Sequence, residues 1–154
     1  RGVLGWSKFT KSADGASVAP YFWAMLHAIH HVALIASDYE RSKRFYTEIL
    51  GLEIVREVYR TERDSWKLDL AVNGTYQIEL FSFPNPPVRA SRPEACGLRH
   101  LAFSVKNLQE AMEELAAKGV ETEPVRVDEW TGRRFTFLAD PDGLPIELYE
   151  MNEP

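Results

Sequence analysis

The sequence predicts an α+β fold, two copies of a βαβββ module paired into a curved mixed sheet. Three observations predict it. A strand–helix–strand–strand–strand pattern runs over about residues 27–83 and returns over about 98–150. A His opens the first apolar strand of each copy, in His31-Val-Ala-Leu-Ile and His100-Leu-Ala-Phe-Ser-Val, and a Glu interrupts the last strand, in Gln77-Ile-Glu-Leu-Phe and Pro145-Ile-Glu-Leu-Tyr. Finally, His31 and Glu79 are 48 residues apart, His100 and Glu147 are 47 apart, and the copies are offset by 69 and 68. A repeat in that register lets equivalent positions be compared within one chain.

The elements follow in order. Ala28 to Ala36 is an apolar run with weak alternation, the pattern of a buried strand. Ser37-Asp38 supplies an N-cap. Residues 39–50 carry Phe45, Ile49 and Leu50 between charges and read as an amphipathic helix, closed by Gly51. Strands are expected at Glu53–Tyr59, Trp66–Val72 and Tyr76–Phe81, and Asn73-Gly74 is a strong hairpin signal. Residues 84–97 hold four prolines and read as an extended linker. In the second copy, Leu98–Val105 is a strand, and Asn107 with Glu110 forms a capping box. Ala111, Met112, Leu115 and Ala116 make the helix stripe, and Gly119 ends it. Val125–Val127, Arg134–Leu138 and Leu144–Tyr149 complete the copy, the last entered through the turn Asp140-Pro-Asp-Gly143. Residues 1–24 are set apart as an N-terminal extension or added segment ahead of a natural start at Met25, which leaves 25–154 as the domain.

Composition narrows the function classes. Hydrophobic residues at 45% and charged residues at 27% are the proportions of a soluble globular protein, and a single cysteine fits a reducing cytoplasm, the location expected. A net charge of −5, with scattered basic residues, argues against nucleic acid or an anionic membrane surface as partner. The one cysteine, Cys96, excludes an internal disulfide framework and is expected to be a half-buried linker residue.

A carboxylate in a core-like strand is costly unless it is paired or bound to a cation. Side chains alternate across a strand, so Glu79 points away from Ile78 and Leu80, and Glu147 away from Ile146 and Leu148. His31 shares a face with Ala33 and Ile35, and His100 is opposite Leu101 and Phe103. The two His and two Glu therefore fall on concave faces, and modules side by side would bring all four to one divalent metal. Imidazole and carboxylate donors suit Ni, Co, Zn, Mn or Fe(II). His30 is read as lying on the opposite face, structural or exposed, and His27 likewise. Parity in the third strand places Trp66, Leu68 and Leu70 inward, turning Lys67 and Asp69 to the metal side. In the equivalent strand of the second copy, Phe135 and Phe137 are placed inward and Arg134 on the metal side. Lys67 and Arg134 are then candidate anchors for an anionic substrate beside Phe81 and Phe83; the alternative is a solvated ion pair of either with Asp69.

Together these residues resemble the vicinal oxygen chelate superfamily, the glyoxalase, bleomycin-resistance and dioxygenase fold, over about residues 27–150. The marks are His31 with Asp38, Phe45-Tyr-Thr-Glu-Ile-Leu-Gly51, Ile78-Glu-Leu80, Arg99-His-Leu-Ala-Phe-Ser-Val105, and Asp140-Pro-Asp-Gly143 leading into Ile146-Glu-Leu148. The resemblance implies paired modules around a metal and a reaction passing through a chelated enolate or similar oxyanion. The set His31, Glu79, His100 and Glu147 is similar to the ligands of the bacterial nickel/cobalt-type glyoxalase I. That similarity implies a metal that polarises a carbonyl and a Glu that moves a proton, Glu147 first and Glu79 second. Two positions depart from that enzyme. Ile35 and Phe83 stand where it has an Arg and an Asn for glutathione, so both are read as substrate-side positions shaped for something else. The chain resembles small uncharacterised glyoxalase-like bacterial proteins, with Arg63-Asp-Ser-Trp-Lys67 and Phe81-Ser-Phe-Pro84 as shared features. The expected function is a metal-dependent lyase or isomerase acting on a small α-oxo compound or thiol adduct. The alternatives are an Fe(II)- or Mn-dependent ring-cleaving dioxygenase and a non-catalytic binding or resistance protein. A homodimer is implied by the resemblance, with the site formed within one chain or by modules exchanged between chains.

Overall fold

A computed structural model describes residues 25–151, and the expected extension over residues 1–24 lies outside them. The first module comprises β1 (Val32–Ala36), α1 (Tyr39–Arg44), β2 (Glu53–Arg60), β3 (Ser65–Val72) and β4 (Thr75–Ser82). The second comprises β5 (Leu101–Val105), α2 (Leu108–Ala117), β6 (Arg126–Val127), β7 (Arg134–Ala139) and β8 (Pro145–Glu150). Each module folds into a four-stranded mixed sheet, in the orders β1-β4-β3-β2 and β5-β8-β7-β6. The β1–β4 and β5–β8 pairs are parallel and the rest antiparallel, so the α+β βαβββ repeat is a repeat of topology as well as sequence.

Local chemistry accounts for the boundaries. The Asp38 carboxylate accepts from the Arg41 amide at 3.0 Å, and the Asn107 side chain accepts from the amides of Gln109 and Glu110 at 3.0 and 3.2 Å. Asn73 and Gly74 both have positive φ, +48° and +72°, as a type I′ hairpin demands. The helix expected over 39–50 changes pitch after Arg44 and ends as a π-helical turn, Phe45–Ile49, in which the Leu50 amide bonds the Phe45 carbonyl at 3.0 Å.

Both modules feed one core, with Leu68, Leu70, Ile78 and Leu80 from the first and Leu108, Leu138, Ile146 and Leu148 from the second. Their polar joint is the Asp140–Gly143 turn. Its Asp142 carboxylate accepts from the Ser37 amide and the Ser42 hydroxyl, and Arg41 donates to the Pro141 carbonyl at 2.9 Å. The buried Tyr46 hydroxyl donates to Asp140 at 2.9 Å. Burial raises the Asp140 carboxyl above its usual range against the bonds it accepts, and burial also pushes the Tyr46 phenol up. Among the described residues no strand of one sheet pairs with a strand of the other, which leaves β1 and β5 each with a free edge.

The linker does not run extended as predicted. It folds back because Arg89 donates to the carbonyls of Leu98 and Arg99 and the Ser91 hydroxyl donates to the Gly143 carbonyl at 2.8 Å. Cys96 is exposed, not half-buried. No helix among the described residues is long and apolar enough to cross a membrane.

Candidate metal centre

The parallel register sets each His beside its Glu. Ala33 is opposite Glu79 across β1–β4, so His31, just before β1, reaches the Glu79 face; Ala102 opposite Glu147 does the same for His100. The His31 Nε2 is 3.4 Å from Glu79 Oε2, and the His100 Nε2 is 3.0 Å from Glu147 Oε2. These separations fit a shared cation. Two donors about 2.1 Å from one ion are about 3.0 Å apart at a right angle and about 3.4 Å apart at the tetrahedral angle. Within one chain the four residues stand as two pairs: no three His, Cys, Asp or Glu side chains among the described residues gather where they could hold a metal.

The two pairs differ in what surrounds them. Glu79 is clamped: Lys67 is 2.6 Å from its Oε1, and the Tyr76 hydroxyl donates to the same oxygen. Oε2 is left facing His31. Burial raises the Glu79 carboxyl, but the bonds from Lys67 and Tyr76 outweigh it and hold the group below its usual range. Lys67 also bonds Asp69, which accepts from the Arg56 Nε at 2.9 Å. His31 is steadied on its other nitrogen, its Nδ1 lying 2.8 Å from the His30 Nδ1, while the Tyr76 ring stacks at 5.9 Å. One imidazole of that pair donates and the other accepts; with His31 as the donor, its Nε2 presents a lone pair on the Glu79 side. By contrast, His100 is the only hydrogen-bond or ion-pair partner of Glu147 among the described residues, and the Phe137 ring meets His100 edge-on at 5.4 Å.

The predicted substrate residues divide accordingly. Lys67 and Asp69 lie on the Glu79 face as parity required, but they are bonded to each other. Phe81 and Phe83 stack at 6.1 Å beneath the Arg60 guanidinium, and Ile35 is 57% exposed on the face that follows His31. Arg134 is a correction. It turns away from Glu147 and grips Glu150 with two bonds of 2.8 and 2.6 Å, which, with the Leu108 amide, take the Glu150 carboxyl down to about 2. Phe135 and Phe137 take the Glu147 side instead, because Thr136 and Leu138 fill the core. His30 is a second correction: residues 26–31 form no strand, so alternation does not turn it away from His31. Strict alternation hides Tyr76, since it shares the parity of Ile78; the register shift at Leu70/Ala71, where Ala71 pairs with Tyr76 and Gln77 is skipped, is what turns it to Glu79.

Two βαβββ modules, each with a His–Glu pair on one face of its sheet, define an α+β protein of the glyoxalase-like class. The chain belongs to the Glyoxalase/Bleomycin resistance protein/Dioxygenase superfamily, whose family model matches residues 28–148. It is similar to the uncharacterized protein YwkD of Bacillus subtilis (strain 168), 62% identical over 126 residues that cover 82% of this chain and 98% of that one. The solved glyoxalase family protein from Enterococcus faecalis is 52% identical with a TM-score of 0.74, covering 80% of this chain and 97% of that one. A lactoylglutathione lyase of Salmonella typhimurium (strain LT2) is 30% identical over 141 residues, 80% of this chain and 92% of that one.

Proposed function

We propose that this protein is a divalent-metal-dependent lyase or isomerase that moves a proton on a carbon next to a carbonyl in a small α-oxo compound or its thiol adduct. The observation that carries this reading is the matched chelating separation of His31–Glu79 and His100–Glu147 at equivalent places in two modules. A divalent ion held by these four residues supplies Lewis-acid polarisation of the carbonyl and charge compensation for two buried carboxylates. The likeness to a lactoylglutathione lyase supports the reaction class.

The surroundings of the two carboxylates divide the labour. Glu79, bonded by Lys67 and Tyr76, is the stationary ligand. Glu147, without an outer partner among the described residues, takes the proton from the carbon next to the carbonyl and returns it to the neighbouring atom. Lys67, Tyr76 and His30 are positioning residues.

Because the two pairs stand apart in one chain, we assign the complete site to a homodimer. The first module of one copy faces the second module of the other, giving two identical sites across a twofold axis. The free edges of β1 and β5, adjoining His31 and His100, support that arrangement.

Metal analysis of protein purified without added metal, followed by turnover assays on α-oxo aldehydes without oxygen, tests the reading. Nickel, cobalt or zinc with oxygen-independent turnover is expected. Iron(II) with oxygen uptake would overturn it in favour of a dioxygenase, and undiminished ligand binding by chelator-treated protein would favour a binding protein.

A further inference from the structure

We infer that the substrate carries an oxyanion, a carboxylate or a phosphonate-like group, held by arginines that the linker and β6 bring to the second His–Glu pair. This rests on the proposed role of His100 and Glu147 in the reaction centre. A cavity of about 440 Å³ opens on those two residues and is walled by Arg92, Arg99, Arg126 and Phe137.

Each arginine is available. Arg92 makes no hydrogen bond or ion pair among the described residues and is exposed. The Arg99 guanidinium approaches only the Nδ1 of His100, at 3.4 Å. Arg126 lies 5.2 and 4.9 Å from the ring centres of Phe135 and Phe137, which hold its plane. Its ion pair with Glu123 joins two half-exposed side chains and adds little.

Charge points the same way. The three guanidiniums are matched by Glu94, Glu123 and Glu147 in the same wall, so the bare cavity is balanced. A divalent ion held by Glu147, with Glu79 as its second carboxylate ligand, leaves positive charge in excess, which an oxyanion answers. Guanidinium forks suit both carboxylate and phosphonate oxygens, and Phe137 offers an apolar wall for the rest of the molecule. The fold-back of the linker, set by Arg89 and Ser91, is what carries Arg92 to the cavity. On the Glu79 side Lys67 and Arg56 are occupied by Glu79 and Asp69, and Arg60, stacked on Phe81 and Phe83, donates to the Ser65 hydroxyl.

The experiment is calorimetric titration of the full chain, loaded with zinc and separately treated with chelator, using benzoate, phenylphosphonate and neutral benzamide. Zinc binding is measured on the same samples. In the loaded protein both anions are expected to bind at least about tenfold more tightly than benzamide. The order of benzoate and phenylphosphonate distinguishes a planar from a tetrahedral oxyanion. Arg92→Gln and Arg99→Gln should each weaken the anions about tenfold and leave benzamide binding and zinc stoichiometry unchanged. These exposed positions spare the fold, and zinc stoichiometry reports that the variants are intact. Anion binding that is unaltered in both variants would overturn the inference while leaving the metal reading in place. Absent zinc binding alongside arginine-dependent anion binding would overturn the metal reading and leave the anion site standing.

Discussion

The two half-sites share a plan and differ in rigidity. In the first module the Glu79 carboxylate is bonded on one oxygen by Lys67 and Tyr76, and the His31 imidazole is braced by His30. In the second, His100 is the only hydrogen-bond or ion-pair partner of Glu147 among the described residues, and Glu147 lines a cavity with three arginines. A duplicated module thus yields unlike halves, one with its carboxylate clamped by neighbours and one with its carboxylate open to a cavity. The cause is a handful of positions: Lys67 and Asp69 in β3 correspond to Phe135 and Phe137 in β7, a charged clamp exchanged for an apolar wall.

That contrast can be broken most sharply at its two carboxylates. Glu147→Gln should retain metal yet lose turnover by about 10²–10⁴-fold, the worth of a general base. Glu79→Ala or His100→Ala should abolish metal retention, read by elemental analysis; full occupancy in either would refute a four-ligand site. A smaller effect isolates the clamp. Lys67→Met should weaken metal binding about 10–100-fold by titration, as loss of a group that orients a ligand does, and Lys67→Arg should restore part of it. Equal metal affinity in Lys67→Met would show that the clamp is ornamental. Methylglyoxal with glutathione should be turned over poorly, because Ile35 and Phe83 offer no partner to a carboxylate; efficient turnover would contradict that reading of the two positions.

The smallest effect is a pH dependence away from the site. The Glu150 carboxyl is held at about 2 against an ordinary value of 4.5, chiefly by Arg134. A depressed folded-state value means that the unfolded chain binds more protons in this window, so stability rises with pH there. The contribution is complete above about pH 4.5 and gone as pH falls through about 2. Denaturant midpoints at pH 5 and pH 3 should therefore fall further for the wild type than for Glu150→Gln.

Much of this was legible in the sequence. The repeat, the order of elements and the placing of each His and Glu on one face followed from spacing and alternation; the parallel β1–β4 and β5–β8 registers set each His beside its Glu. Parity succeeded in β3, where Trp66, Leu68 and Leu70 alternate cleanly with Lys67 and Asp69. It failed in β7 because Phe135 and Phe137 outweigh Thr136 in apolar size, yet Thr136 is the buried residue, its hydroxyl satisfied by the Glu123 carbonyl at 2.6 Å. The arginine-lined cavity was invisible for another reason. Arg92 sits in a linker without periodicity, Arg99 just ahead of β5, and Arg126 in a strand of two residues. Their convergence depends on long-range contacts such as Ser91 to Gly143.

The central claim, a site completed between two copies of the chain, has a direct test in complementation. One variant carries His31→Ala with Glu79→Gln, the other His100→Ala with Glu147→Gln, and the two are unfolded, mixed and refolded together. Each alone should bind no metal tightly. In a mixed dimer one of the two shared sites would draw all four ligands from unmutated modules, so random assembly should restore about one quarter of wild-type metal binding. A mixture that binds no more metal than the separate variants would contradict a site shared between chains.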